Sequence, residues 1–114
     1  MRFVKGFAEL GIDDVSIVGG KNASLGEMYR ALSGEGIKVP NGFATTAEGF
    51  RLYIEHNNLH QKIAAELERL DTHNVNALQV SGAKIRQWIM HGEMPAELAA
   101  EIREAYRGLE SEYG

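Results

Sequence analysis

Ile17-Val18-Gly19-Gly20-Lys21-Asn22-Ala23-Ser24-Leu25-Gly26-Glu27-Met28 is the stretch on which the reading of this chain turns. Two adjacent glycines remove the side-chain bulk that would hold a ligand off the backbone, and they stand just before a helix N-terminus whose unpaired amides attract anions. From Asn22 to Leu32 the apolar positions Leu25, Met28, Tyr29 and Leu32 recur at helical spacing along one face, and Gly34 and Gly36 then stop the helix. Lys21 sharpens the picture. A lysine beside a helix N-terminus is disfavoured by about 0.3–1 kcal/mol unless an anion shared with the amides reverses the sign. Gly19, Gly20, Lys21 and Asn22 therefore read as a phosphate-facing corner. On spacing alone a Gly-Gly-Lys turn is more often ordinary loop chemistry with an exposed lysine, so both readings stand at this point. A Walker loop is excluded, because its first glycine would fall at Val15 and its final Ser/Thr at Asn22.

Working outward, Phe3-Val4 and Phe7 suggest a short first strand, followed by a Gly11-Ile12-Asp13-Asp14 turn and the small apolar group Val15, Ile17 and Val18. Pro40-Asn41-Gly42 is a turn signal before a strand over Gly42–Thr45. Thr45-Thr46-Ala47-Glu48 has the spacing of a capping box and predicts a helix from about Thr46 to His56. Leu59, Ile63, Leu67 and Leu70 mark a further helix, and Leu78, Ile85, Trp88 and Ile89 another, ending near Gly92. Pro95 suits the first turn of a last one, with a buried stripe of Leu98, Ile102, Ala105, Tyr106 and Leu109. The fold expected is α+β and mostly helical, with four or five helices and two or three short strands. So small a set of strands is marginal in water, which suggests a sheet with further strands beyond residue 114.

The 114 residues suffice for one domain, and the 44% hydrophobic and 25% charged fractions are those of a folded globular protein. A net charge of −4, with no basic run, argues against nucleic acid as a partner. The acidic excess lies mainly in residues 61–114, as a solvated helical face. With no cysteine, thiolate chemistry and Cys-ligated zinc are excluded. The opening Met1–Leu10 lacks an apolar h-region, so a cytoplasmic protein without a membrane segment is the simplest expectation.

Other candidates are weaker. His56 and His60 are four apart, but a boundary near Asn57-Asn58 separates their faces, and they read as surface histidines, like His73 and His91. Asp13 and Asp14 are more often turn formers than magnesium ligands. Trp88 lies on an apolar stripe, where core packing is the better reading. Ser16 and Ser24 have no nearby histidine in sequence to activate them.

Val18–Met28, followed by Val39-Pro40-Asn41-Gly42-Phe43-Ala44-Thr45-Thr46-Ala47, strongly resembles the N-terminal end of the phosphoenolpyruvate synthase (pyruvate, water dikinase) family. Ile85-Arg86-Gln87-Trp88-Ile89 and Ile102-Arg103-Glu104-Ala105-Tyr106 look like the same family, so the likeness covers essentially the whole chain. The related pyruvate phosphate dikinases and rifampin phosphotransferases typically carry Gly-Lys-Gly where Gly20-Lys21-Asn22 stands here, which favours the water dikinases.

The resemblance implies that 1–114 is the N-terminal part of an ATP-binding domain of ATP-grasp type. It implies an enzyme that makes phosphoenolpyruvate, AMP and phosphate from ATP, pyruvate and water, with magnesium and a phosphohistidine. The lysine matching Lys21 would approach the ATP phosphates, with Gly19, Gly20 and Asn22 beside it. Members of that family are several times longer. The magnesium ligands, the phosphohistidine, the pyruvate-binding barrel and a Val-Arg-Ser-Ser-Ala segment are expected outside these residues, so the isolated chain is expected to be inactive. Two other classes stay open: a stand-alone nucleotide-binding module, and a helical protein-interaction module in which Gly-Gly-Lys is incidental.

Overall fold

The computed structural model describes every residue from Met1 to Gly114. The chain divides into two compact units, Met1–Arg51 with Ala96–Gly114, and Leu52–Pro95.

In the first unit, β1 (Val4–Gly6) pairs antiparallel with β2 (Phe43–Thr45), with Val4 opposite Thr45, Lys5 opposite Ala44 and Gly6 opposite Phe43. Phe7, expected in the first strand, instead opens a 3-10 turn over Phe7–Glu9, because the Glu9 carboxylate reaches back to the Gly6 N–H at 3.0 Å and bends the chain there. A second 3-10 turn, Ile12–Asp14, runs directly into the one-turn helix α1 (Val15–Val18). Helix α2 (Gly20–Ser33) follows after a single residue. Helix α6 (Ala96–Tyr113) lies against β1, where Glu101 Oε1 accepts the Phe3 and Val4 N–H groups at 2.8 and 3.1 Å.

Leu10, Val18, Ala23 and Ala44 form the core of this unit, with Phe7 packed on its margin. The face that α2 buries is not the predicted one. Ala23 and Gly26 are buried, whereas Met28 is exposed and Leu25, Tyr29 and Leu32 are half-buried. The reason is close approach: a Cβ on Gly26 would lie 2.5 Å from Leu10 Cβ and 2.9 Å from the Leu10 carbonyl oxygen, so only small residues admit the Leu10 segment. Periodicity favours large apolar residues and is blind to a stripe of small ones.

Helix α3 (Ala47–His56) begins as expected, but its cap differs. Thr46 Oγ1, not Thr45, accepts from the Gly49 N–H at 3.1 Å and donates to the Arg2 carbonyl at 2.9 Å, while Glu48 pairs with Arg2 instead of reaching back to the cap. Thr45 is a strand residue, and its exposed side chain points the wrong way to cap. On α6, Leu98 is buried and Ile102, Ala105 and Leu109 are half-buried, but Tyr106 of the predicted stripe is exposed.

The second unit holds the end of α3, then α4 (His60–Glu68) and α5 (Val75–Met90). The helices of nine residues or more number five, within the four or five expected, and α1 is additional. Asn58 turns the chain with φ 54°, separating His56 at the end of α3 from His60 at the start of α4. Asn57 grips the Glu93 backbone at both ends of its amide, accepting from N–H at 2.6 Å and donating to C=O at 2.9 Å. The Lys62 ammonium sits 4.4 Å from the centre of the half-buried Trp88 ring. Leu78, predicted on the apolar stripe of α5, is exposed.

Between α4 and α5, the buried Ser81 hydroxyl donates to Glu66 Oε1 at 2.9 Å, with Lys84 and Arg69 each 3.6 Å from the carboxylate. The Ser81 hydrogen bond, aided by the Lys84 charge, holds the Glu66 carboxyl below its ordinary range. A lowered folded value means that the contribution to stability is complete above the ordinary carboxylate range and is lost as pH falls through the folded value. The expected results are an NMR titration of Glu66 centred below that of a free glutamate, and a return toward the free value in Ser81→Ala. A midpoint unchanged by Ser81→Ala would remove the hydroxyl as the cause.

Candidate functional site

The corner is made by how α1 ends and α2 begins. Gly19 closes α1 by donating its N–H to the Val15 carbonyl at 2.8 Å, then accepts the first bond of α2 from the Ala23 N–H at 3.0 Å. Between those bonds the chain reverses at φ 86° and ψ 164°, a conformation that only glycine adopts without strain. Gly19 is thus required by the backbone.

Gly20 is different. It lies in the first turn of α2, and a Cβ placed on it would meet no atom within 4 Å. Neither the backbone nor packing within this chain calls for a glycine there, and glycine in a helix costs about 1 kcal/mol relative to alanine.

The N–H groups of Gly20, Lys21 and Asn22 precede the first helical bond and take no protein acceptor, since Gly19 offers no side-chain cap. No acidic residue stands in the first turn to balance the positive helix end. Lys21 is exposed and joins none of the ion pairs of the chain. Asn22 has a structural part: its Nδ2 donates to the Val18 carbonyl at 3.1 Å, tying α2 to the end of α1. The structure thus leaves three amides at the start of α2 without a protein acceptor, next in sequence to an exposed Lys21 that joins no ion pair, with Asn22 half-buried.

Residues that spacing did not single out hold the corner in place. Glu27 Oε2 accepts the Ile12 N–H at 3.1 Å, Arg30 Nη1 donates to the Leu10 carbonyl at 3.3 Å, and Asp14 Oδ2 accepts the Gly11 N–H at 2.9 Å. Asp14 is therefore a turn former, as expected. Only the i, i+3 relation of Glu27 and Arg30 on α2 could have hinted at their shared task. In the segment before the corner, Ile12, Val15 and Ile17 are 55%, 47% and 41% exposed, and of the apolar group Val15, Ile17 and Val18 only Val18 is buried. Ser16 and Ile17 of α1 also line a cleft of about 310 Å³ with Arg2, Lys5 and Arg51.

Such a corner can hold an oxyanion by backbone amides and one cation. By itself it offers no nucleophile and no general base. No helix is long and apolar enough to cross a membrane.

The sequence profile described as pyruvate phosphate dikinase, AMP/ATP-binding domain, matches residues 15–114, beginning at the first residue of α1. The phosphoenolpyruvate synthase of Pseudomonas aeruginosa is 50% identical over 109 residues, 96% of this chain and 14% of that protein. Those of Deinococcus radiodurans and Escherichia coli are each 47% identical over 106 residues, 93% of this chain and 14% and 13% of those proteins. The chain thus spans about 14% of the length of the curated relatives it matches.

Proposed function

Because this chain belongs to the pyruvate phosphate dikinase AMP/ATP-binding domain family, we propose that it is the N-terminal piece of a phosphoenolpyruvate synthase and supplies one wall of that enzyme's ATP site. The parent would be a cytoplasmic phosphotransferase that makes phosphoenolpyruvate, AMP and phosphate from ATP, pyruvate and water through a phosphohistidine. The nucleotide phosphates would lie against the Gly20, Lys21 and Asn22 amides, with the Lys21 ammonium stabilising charge on the transferring group. Lys21 would move no proton.

The observation that carries this reading is Gly20. Its missing side chain faces open space at a helix end whose amides and neighbouring ammonium are without partners. A glycine that the fold does not need is accounted for by a ligand that approaches the backbone.

Magnesium would be held by ligands that the family resemblance places outside these residues. Pyruvate and the phosphohistidine would likewise belong to separate domains outside these residues, and an ATP-grasp architecture would be completed by the remainder of the ATP-binding domain itself. Exposed Phe50, Ile37, Val15 and Ile12 suit a piece that packs against such domains. Without those converging charges the isolated chain would not transfer a phosphoryl group.

Gly20→Ala in the complete enzyme tests the reading. Alanine fits the helix and meets nothing, so stability should be unchanged or higher by up to about 1 kcal/mol. The KM for ATP should nevertheless rise. Unchanged ATP kinetics at unchanged stability would detach the corner from the nucleotide.

A further inference from the structure

We propose that the outer edge of β2 is completed by a third, extended strand from the parent polypeptide outside these 114 residues. The proposal rests on the reading of the chain as part of a longer enzyme, which its 14% share of a relative's length supports.

The two edges of the sheet are not equivalent. The Thr46 N–H donates to the Phe3 carbonyl at 2.9 Å and the Phe7 N–H to the Gly42 carbonyl at 3.0 Å, so these pairs, and Lys5 with Ala44 between them, face each other through hydrogen bonds. By the alternation of an antiparallel ladder, the backbone groups of Val4 and Gly6 on β1, and of Phe43 and Thr45 on β2, point away from the partner strand.

On β1 the outward amides are capped by carboxylates, Val4 by Glu101 at 3.1 Å and Gly6 by Glu9 at 3.0 Å. An incoming strand would have to displace both. On β2 neither the Phe43 nor the Thr45 N–H has an acceptor in the chain. Phe43-Ala44-Thr45 also carries no charge, proline or bulge, the usual devices that keep an edge from pairing. Two strands of three residues are marginal by themselves, and a third on β2 would make the sheet an ordinary small one. The residue beside Ala44, which faces the Leu10, Val18 and Ala23 core, would be small or apolar. Those beside the half-buried Phe43 and the exposed Thr45 tolerate polar side chains.

The test is residue-resolved hydrogen exchange on the complete enzyme, together with a photo-crosslinking residue at position 45 in a mixture of ¹⁴N- and ¹⁵N-labelled protein. Support would be protection of the Phe43 and Thr45 amides by about a hundredfold or more, with cross-links of a single isotope to one segment beyond residue 114. Exchange near the unstructured rate, or mixed-isotope cross-links that identify a second copy, would overturn the proposal. Neither readout involves nucleotide, so failure here is separable from failure of the Gly20→Ala test.

Discussion

Replacing Lys21 with Ala in the complete enzyme is expected to raise the barrier of the ATP-dependent step by about 2–4 kcal/mol, roughly 30- to 1,000-fold in rate. Lys21 is exposed and has no carboxylate partner, so its loss should leave the fold intact and be read in kinetics alone. Phosphoryl transfer is carried by positioning and converging charge, and in the proposed site Lys21 would be the cation that accompanies the free amides of α2. Lys21→Arg, which keeps the charge and changes its shape, should recover part of the rate. The measurement is steady-state and single-turnover kinetics with varied ATP. Wild-type rates in Lys21→Ala would make it a surface lysine.

The second large effect is structural. Leu10 is 1% exposed and stands at the centre of the Leu10, Val18, Ala23 and Ala44 cluster, with Gly26 of α2 directly over it. Leu10→Ala is expected to destabilise the first unit by about 2–5 kcal/mol, by lost burial and by a cavity that close-packed neighbours cannot fill. Leu10→Met, which conserves volume, should cost less than about 1.5 kcal/mol. Chemical denaturation of the complete enzyme, followed by proteolysis of the first unit, distinguishes the two. Near-equal midpoints for Ala and Met would show that α2 does not rest on Leu10.

These two residues differ in how far they could be read in advance. Lys21 stands out in sequence because its charge is wrong for the helix end it occupies, and a local electrostatic conflict needs no tertiary contact to be seen. Leu10 carries no such mark. Its importance comes from Gly26, sixteen positions on, and a glycine inside a helical pattern signals no particular partner. The same limit explains the cap of α3: the capping-box spacing to Glu48 points to Thr45, but the pairing of β2 with β1 leaves Thr46 to cap the helix amides. Of the apolar group Val15, Ile17 and Val18, only Val18 is buried, a choice that depends on the Leu10 and Ala23 neighbours it packs with.

By itself the sequence determined the mostly helical class, a count of four or five long helices, and the Gly19-Gly20 turn before α2, because each rests on contacts within a few residues; it indicated two or three short strands without their pairing. Tertiary structure alone decided which face of α2 is buried, that Gly19 is demanded by the backbone while Gly20 is not, and that one edge of the sheet is closed by carboxylates while the other is bare. The buried face of α2 and the unequal sheet edges arise from groups far apart in the chain, such as Glu101 on the Phe3 and Val4 amides, whereas the Gly19 conformation is local but visible only in the structure. Local propensity carries no information about which distant side chain will arrive.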